Sequence, residues 1–353
     1  MGKHRIAVLP GDGIGPEVIA EGIKGLRALE AKHDISFEFE EFPWSCGYYL
    51  QNGEMMPPDA TDQLQPFDAV LFGAVGDPRV GEHLSISGLI LPLRRRFDLF
   101  VNLRPNVLYP GVTSPLRDKE AGDINMAVVR ENTEGEYADV GGFQYQGTDD
   151  EVAIQTGVFT RRGIERVVRY AFELAQRRDR KKVTSITKSN AQRYSMTLWD
   201  RVFAEVAAEF PDITTQSLLV DAAAMDFVRR PEIFDVVVAS NLFADILTDL
   251  AAAITGSIGL AASANIDPTR RNPSVFEPIH GSAPDIAGKG IANPLATLLS
   301  AAMMLDHLDE PAAASALNDA VKSILSQGEI LTPDLGGKAT TIEVGDAVAA
   351  EVR

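Results

Sequence analysis

Two aspartates four positions apart, Asp245 and Asp249, follow a short apolar run at 234–239. Residues with this spacing project from the same face of a helix. Their carboxylates repel each other unless a cation compensates, and divalent cations prefer carboxylate oxygens. One helix face supplies only two ligands, so another must come from elsewhere, and Asp221 after the apolar run 218–220 is a candidate. Acids near a helix start are also favoured by the helix dipole alone, so the spacing leaves both interpretations open.

Arginines recur in segments that are otherwise apolar, at positions 94, 95, 96, 104 and 130. A substrate with two carboxylates needs bidentate partners, which the arginine fork supplies. Arg130 ends the apolar run 126–129, which favours a role beyond solubility, whereas Arg95 and Arg96 fit surface positions. Arg104 precedes Pro105 and is therefore expected to be extended.

Two residues are candidates for proton transfer. Tyr137 lies in the polar segment 131–137, which predicts a loop after a strand, and Lys188 lies just past the apolar run 183–187. Ligands of α/β proteins bind beyond the carboxyl ends of the strands, and a lysine near a metal can act as a base. Taken singly, each also fits a loop residue without chemistry.

A glycine-rich segment, GDGIGPE at 11–17, follows the first predicted strand. It does not fit the dinucleotide pattern G-x-G-x-x-G, because the third glycine is replaced by Pro16. Proline suits the first turn of a helix. The segment predicts a tight strand-to-helix turn, with any dinucleotide bound elsewhere.

Strand-like and helix-like patterns alternate along the chain and must position these residues. Short apolar runs at 5–10, 68–73, 126–129, 183–187 and 236–239 are separated by segments of helical periodicity. This alternation predicts an α/β fold with a mostly parallel sheet. A length of 353 residues indicates two or three domains.

The composition excludes several classes of function. A formal charge of −17 opposes sequence-independent binding of nucleic acid. The single cysteine, Cys46, allows no internal disulfide, and the apolar stretch 250–264 is too short and interrupted to span a bilayer. We expect a cytoplasmic protein without nucleic-acid or membrane partners.

Six segments together resemble the β-decarboxylating hydroxyacid dehydrogenases, which include isocitrate, 3-isopropylmalate, homoisocitrate and tartrate/D-malate dehydrogenases. The resemblance covers nearly the whole chain and rests on GDGIGPEV at 11–18, NLRP at 102–105, RENTEGEY at 130–137, TKSN at 187–190, SNLFADILTDL at 240–250 and HGSAPDIAGKGIANP at 280–294.

The resemblance implies an isopropylmalate-dehydrogenase-like two-domain fold rather than a Rossmann βαβ domain. It also implies a homodimer with shared active sites. A large NAD-binding domain would comprise 1–100 and 256–353. A small domain at 101–255 would carry the dimer interface and the metal and substrate residues.

The resemblance also implies roles for individual residues. Arg94, Arg104 and Arg130 would bind the substrate carboxylates, and Ser87 and Ile90 belong to the segment that sets substrate specificity. Asp245 and Asp249 would bind Mg²⁺ or Mn²⁺ with Asp221 of the partner. Lys188, also from the partner, would help to deprotonate the hydroxyl, and Tyr137 would protonate the enolate. The residues implied for the coenzyme are Asn190, Glu277, His280, Gly281, Ser282, Ala283, Asp285 and Asn293.

The coenzyme implied is NAD. A carboxylate at Asp285 accepts hydrogen bonds from ribose hydroxyls and repels a 2′-phosphate. NADP-using relatives tend to carry Lys and Tyr where Asp285 and Ile286 stand. The resemblance leaves a requirement for K⁺ open.

The substrate implied is D-malate or tartrate, because the segments at 67–78, 109–124 and 130–142 look most like those dehydrogenases. Gly88 and Ile90 replace the Ser and Asn of isocitrate-type members. The apolar Leu89, Ile90 and Leu91 keep 3-isopropylmalate as the alternative. A non-catalytic regulatory subunit is a remote alternative, since such chains usually lose the catalytic Tyr, Lys or Asp residues that this chain retains.

Overall fold

The computed structural model describes residues 2–352, which form two compact units. The first unit comprises Met1–Leu99, Arg104–Ile124 and Ala251–Arg353, and the second comprises Phe100–Leu103 and Asn125–Leu250. The resemblance placed 104–124 in the small domain. In the structure this segment packs with the terminal segments, where the Ser114 hydroxyl donates to the Ile254 carbonyl at 2.6 Å.

Strands and helices alternate along most of the described chain. In order they are β1 (Gly2–Gly11), α1 (Gly15–His33), β2 (Ile35–Glu41), α2 (Cys46–Asn52), α3 (Ala60–Leu64), β3 (Ala69–Ala74), α4 (Glu82–Ser85), α5 (Leu91–Arg96), β4 (Val101–Val107), β5 (Asn125–Glu131), β6 (Gly135–Gln144), β7 (Val152–Val158), α6 (Arg161–Gln176), β8 (Lys182–Thr187), α7 (Ser195–Ala207), β9 (Thr214–Leu219), α8 (Val220–Arg229), β10 (Val236–Ala239), α9 (Asn241–Ile254), β11 (Ala262–Ile266), β12 (Ser274–Pro278), α10 (Leu295–His307), α11 (Pro311–Gln327) and α12 (Thr341–Val352).

The strands of the first unit follow the order β2-β1-β3-β12-β11. Their pairings are parallel except for the antiparallel pair β11–β12. Helix α1 has Pro16 in its first turn and ends at His33, and the N–H of the following Asp34 donates to the Glu30 carbonyl. Pro16 favours the start of the helix at the glycine-rich turn, and the hydrogen bond from Asp34 closes its last turn.

The strands of the second unit follow the order β5-β10-β8-β9, and all their pairings are parallel. Strands β6 and β7 form a separate antiparallel hairpin. The core contains Phe172, whose ring lies 5.0 Å from that of Phe210, and the fully buried Trp199. The Trp199 indole N–H donates to the Ser185 hydroxyl at 2.9 Å, which satisfies the one polar atom of this side chain.

The predicted α/β fold with a mostly parallel sheet is confirmed. Short apolar runs, which periodicity alone could not assign to strand or helix, form fully buried strands such as β3 and β10. Within residues 2–352, no helix combines the length and the apolar character needed to cross a membrane.

Candidate functional site

Three of the predicted site residues meet in the second unit. Arg130 is the last residue but one of β5, its side chain is only 2% exposed, and its guanidinium forms an ion pair with the Asp245 carboxylate. The Tyr137 hydroxyl donates to the other carboxylate oxygen of Asp245 at 2.7 Å. The guanidinium carbon of Arg130 also lies 5.4 Å from the centre of the Tyr137 ring. We call Arg130, Tyr137 and Asp245 the aspartate cluster.

A fourth residue, Asn241, fixes the position of Arg130 and was missed in the sequence. Its side chain is almost fully buried, its oxygen accepts from Arg130 Nε at 2.9 Å, and its amide nitrogen donates to the Glu134 carbonyl at 3.0 Å. Its place at the first position of the helix that carries both aspartates was the available signal, since Asn is favoured at helix starts.

Tyr137 lies in a strand, so the predicted loop at 131–137 is wrong for its last three residues. Polar residues suggested a loop, but β6 begins at Gly135 and pairs with β7, with Gly135 opposite Val158. The register of the hairpin is irregular between Gly135 and Val140, the stretch that contains Tyr137. Tyr137 nevertheless lies within β6, which positions its hydroxyl beside Asp245.

Asp245 and Asp249 lie on α9 as predicted, one turn apart. The Asp245 side chain is 35% exposed, and Asp249 is exposed. Within the described chain, no three His, Cys, Asp or Glu side chains lie close enough together to hold a metal ion. The two aspartates therefore provide an incomplete set of ligands within one chain.

Lys188 and Asp221 form an ion pair with each other in the second unit. Lys188 directly follows β8, as predicted. Asp221 lies in the first turn of α8 rather than at a strand end, because β9 ends at Leu219 and the helix begins at Val220. The hydrogen bond from Lys188 lowers the pKa of Asp221, which keeps this carboxyl ionised.

Burial perturbs a neighbouring carboxyl at the end of β5. Glu131 is buried, and desolvation raises its pKa to about 7 although Thr133 and Glu134 donate to it. Neither the composition nor the spacing of the segment pointed to this residue, because desolvation depends on the tertiary packing around it.

Arg94 and Arg104 lie in the first unit, and both are buried. Arg94 Nη2 lies 3.3 Å from a carboxylate oxygen of Glu277, and the same oxygen accepts from Asn265 at 2.7 Å. Arg104 lies on β4, extended as expected before Pro105. Arg95 and Arg96 are exposed, in agreement with the surface positions expected for them.

The specificity segment forms a π-helical turn, Ile86–Ile90, before α5. Ser87 is exposed, and its hydroxyl donates to the His83 carbonyl. Ile90 is only 8% exposed and packs with Leu89 in an apolar cluster that includes Trp44 and Phe97. Ile90 therefore belongs to the buried apolar core.

The segment His280–Asn293, which we call the coenzyme loop, lies in the first unit. His280 is buried, its Nδ1 lies 3.0 Å from the Gly281 carbonyl, and its Nε2 is buried with no hydrogen-bond partner among residues 2–352. Burial lowers the pKa of His280, so the ring is neutral at pH 7.

Further residues of the coenzyme loop differ in exposure. Ser282 and Asn293 are buried, whereas Gly281 and Asp285 are exposed. Asn293 donates to Asp334 at 2.9 Å, which anchors the end of the loop. Among the remaining residues predicted for the coenzyme, Asn190 is exposed and belongs to the second unit, and Glu277 is the partner of Arg94.

The fold and these residues define a known class of protein. Residues 5–348 match the family described as isocitrate/isopropylmalate dehydrogenase, and the chain belongs to this family. The isocitrate dehydrogenase crystal structure from Methylococcus capsulatus superposes with a TM-score of 0.88 at 37% identity, covering 99% of both chains. The predicted isopropylmalate-dehydrogenase-like fold is therefore confirmed.

Curated relatives give a finer comparison. A probable tartrate dehydrogenase/decarboxylase of Agrobacterium vitis is 52% identical over 353 residues, covering 100% of this chain and 98% of the relative. The decarboxylating D-malate dehydrogenase of Escherichia coli is also 52% identical, covering 99% of this chain and 98% of the relative. Family and relatives together support a decarboxylating dehydrogenase, which is an oxidoreductase.

Proposed function

We propose that this protein oxidises and β-decarboxylates a small 2-hydroxy dicarboxylic acid, D-malate or tartrate, with NAD and a divalent metal. The observation that carries the proposal is the aspartate cluster, in which one carboxylate contacts both a guanidinium and a phenol. The full-length similarity to enzymes named for tartrate and D-malate supports the choice of substrate.

The acidic residues of α9 fit a hard divalent cation. Asp245 and Asp249 present carboxylates from adjacent turns, and Asp221 of a second copy would complete the set that one chain lacks. Mg²⁺ and Mn²⁺ match these oxygen donors. A requirement for K⁺ stays open.

The coenzyme loop fits a dinucleotide. The orphaned Nε2 of His280 is a buried polar atom that requires a partner. A Cβ built at Gly281, Gly288 or Gly290 would meet no atom within 4 Å, so these positions leave space beside the backbone. The exposed Asp285 would accept hydrogen bonds from ribose hydroxyls, which favours NAD over NADP.

The residues of the chain then divide the reaction between them. Arg94, Arg104 and Arg130 would bind the two substrate carboxylates as bidentate donors. Lys188 of the partner, once it has lost its own proton, would accept the hydroxyl proton during oxidation. After CO₂ departs, the Tyr137 phenol would return a proton to the enolate carbon. When bound, the coenzyme accepts the hydride, and the metal stabilises the negative charge on the substrate oxygen.

A second copy of the chain is required to complete this site. Exposed apolar side chains support such a homodimer, since large exposed apolar groups mark association surfaces. They occur on the β6–β7 hairpin and on α8 and α9, at Val140, Phe143, Val152, Ile154, Met225, Val228 and Ile246.

The alternative substrate, 3-isopropylmalate, depended on the apolar patch at 89–91. Leu89 is fully buried and Ile90 is 8% exposed, so both side chains are engaged in the core. These side chains offer little apolar surface to the alkyl group of 3-isopropylmalate, which favours the smaller substrates D-malate and tartrate.

Product stoichiometry tests the proposal. With D-malate, NAD and Mn²⁺ we expect NADH, CO₂ and pyruvate in equal amounts, loss of all three with EDTA, and recovery with excess Mn²⁺. Asp245→Asn should lower kcat by at least about a hundredfold. The control Asp212→Asn changes an exposed acid of the same unit and should retain activity. Metal-independent turnover, or NADH without CO₂, would contradict the proposal.

A further inference from the structure

The glycine-rich turn after β1 contacts the coenzyme loop at several points, all within the first unit. We propose that Glu17 and Gly13 are positioning residues, which hold the coenzyme loop in the shape that binds the dinucleotide. The inference rests on the proposed function, because it assumes that this loop binds the coenzyme.

Glu17 lies on α1 and accepts hydrogen bonds from two backbone amides of the coenzyme loop. The Gly288 N–H donates to one carboxylate oxygen at 2.6 Å, and the Gly290 N–H donates to the other at 3.1 Å. Gly288 and Gly290 both have positive φ, at 75° and 63°, so this part of the loop has a conformation that most residues avoid. A carboxylate with two acceptor oxygens matches the two donors, whereas an amide offers only one acceptor.

Gly13 provides a second contact. A Cβ at this position would lie 2.0 Å from the Ser282 carbonyl oxygen, and φ at Gly13 is +59°. The next residue, Ile14, donates its N–H to the same carbonyl at 2.9 Å. The turn and the loop therefore approach closely, and only glycine permits that approach.

Apolar packing adds a third contact. Ile14 and Val18 are buried with Ala292, and Ala283, Ile286 and Ala287 pack against them. Ala283 has a φ of 41°, in the left-handed region that residues with a side chain rarely adopt. Such a conformation persists only where surrounding contacts hold it, as these contacts do.

The turn is itself fixed to the rest of the first unit. The Asp12 carboxylate accepts backbone N–H groups from Cys46 at 2.9 Å, Gly47 at 3.1 Å and Gly76 at 3.1 Å. A turn that is fixed by these three hydrogen bonds stays in place when the coenzyme loop moves. It can therefore restrain the loop. The loop portion next to the selector Asp285 is thus set by α1 before any ligand arrives.

Two measurements on Glu17→Gln test this inference. Without coenzyme, hydrogen–deuterium exchange at Gly288 or Gly290 should accelerate at least about tenfold. Glutamine keeps only one acceptor oxygen, so one of the two amides loses its partner. NADH affinity, measured by fluorescence, should weaken about tenfold, with KM for NAD rising in parallel and kcat at saturating NAD within about twofold of wild type.

Three further variants sharpen the test. Glu17→Asp keeps both acceptors on a shorter side chain and should give intermediate values. Gly13→Ala should weaken NADH binding through the Ser282 carbonyl without removing a charge. Glu329→Gln removes an exposed charge elsewhere in the same unit and should match wild type in both measurements.

Wild-type exchange rates in Glu17→Gln would overturn the positioning role. Faster exchange with wild-type NADH affinity would instead refute the placement of the coenzyme in this loop, which is a failure of the proposed function. The two failures are therefore distinguishable.

Discussion

At the scale of single residues, the proposed mechanism assigns Tyr137 and Lys188 to different steps. Tyr137 donates to Asp245 at 2.7 Å, which leaves its proton available beside the proposed metal ligand. We expect Tyr137→Phe to slow protonation of the enolate, and hence enzymatic pyruvate formation, by about a hundredfold and to spare hydride transfer, whereas Lys188→Met should slow hydride transfer. Single-turnover NADH formation measures hydride transfer, and the rate of pyruvate formation from added oxaloacetate measures decarboxylation together with enolate protonation.

Matched substitutions control for the loss of a hydroxyl or an amine. Tyr145 and Lys338 are exposed, and Tyr145→Phe and Lys338→Met should leave both steps unchanged. Equal loss of both steps in Tyr137→Phe and Lys188→Met would rule out this division of roles.

Asp285 is the residue proposed to select the coenzyme. Asp285→Lys removes the acceptor for ribose hydroxyls and adds a charge that attracts a 2′-phosphate. We expect kcat/KM for NAD to fall at least about tenfold and that for NADP to rise, measured as initial rates with each coenzyme. Asp212→Lys, a matched exchange at an exposed site, should keep the wild-type ratio. A higher kcat/KM for NADP than for NAD in the wild type would show that Asp285 does not select NAD.

At the scale of elements, Asn241 at the start of α9 links Arg130 of β5 to the helix that carries the two aspartates. Asn241 holds Arg130 Nε and the Glu134 carbonyl at once, so Asn241→Ala leaves two buried polar groups without this partner. We expect KM for the dicarboxylate to rise at least about tenfold, with a smaller change in kcat. Asn241→Asp keeps the acceptor for Arg130 and should recover part of the loss. Unchanged KM in Asn241→Ala would exclude the positioning of Arg130 by this residue.

The sequence predicted the elements better than the contacts between them. The four-residue spacing of Asp245 and Asp249 after the apolar run 234–239 predicted that both lie on one helix, and both lie on α9. Tyr137 was placed in a loop because its neighbours are polar, although it lies in β6, the strand that pairs with β7. Local composition indicates which segments are buried. It does not indicate which segments pair with each other, and an exposed hairpin forms through such pairing.

The contacts of Asn241 and Glu17 escaped prediction for a related reason. Each joins segments more than a hundred residues apart, Arg130 to Asn241 and Glu17 to Gly288. Spacing along the chain carries information only about neighbours on one element, so such pairs require the folded structure.

At the scale of the whole molecule, the proposed site belongs to two copies of the chain. Lys188→Met and Asp245→Asn should each be inactive alone. After the two are mixed, dissociated and reassociated, half of the dimers are mixed, and each mixed dimer has one intact site, so about a quarter of wild-type activity should return. Activity measured before and after reassociation checks this. No recovery, with mixed dimers shown by mass, would place all groups of the site in one chain.

Substrate preference tests the central claim most directly. We would measure initial rates of NADH formation with Mn²⁺ for D-malate, L-tartrate, meso-tartrate, 3-isopropylmalate and isocitrate, compared by kcat/KM. The highest value should belong to D-malate or a tartrate, at least about tenfold above 3-isopropylmalate. A preference for 3-isopropylmalate or isocitrate would contradict the proposed substrate, and no turnover of any of the five would indicate a non-catalytic subunit.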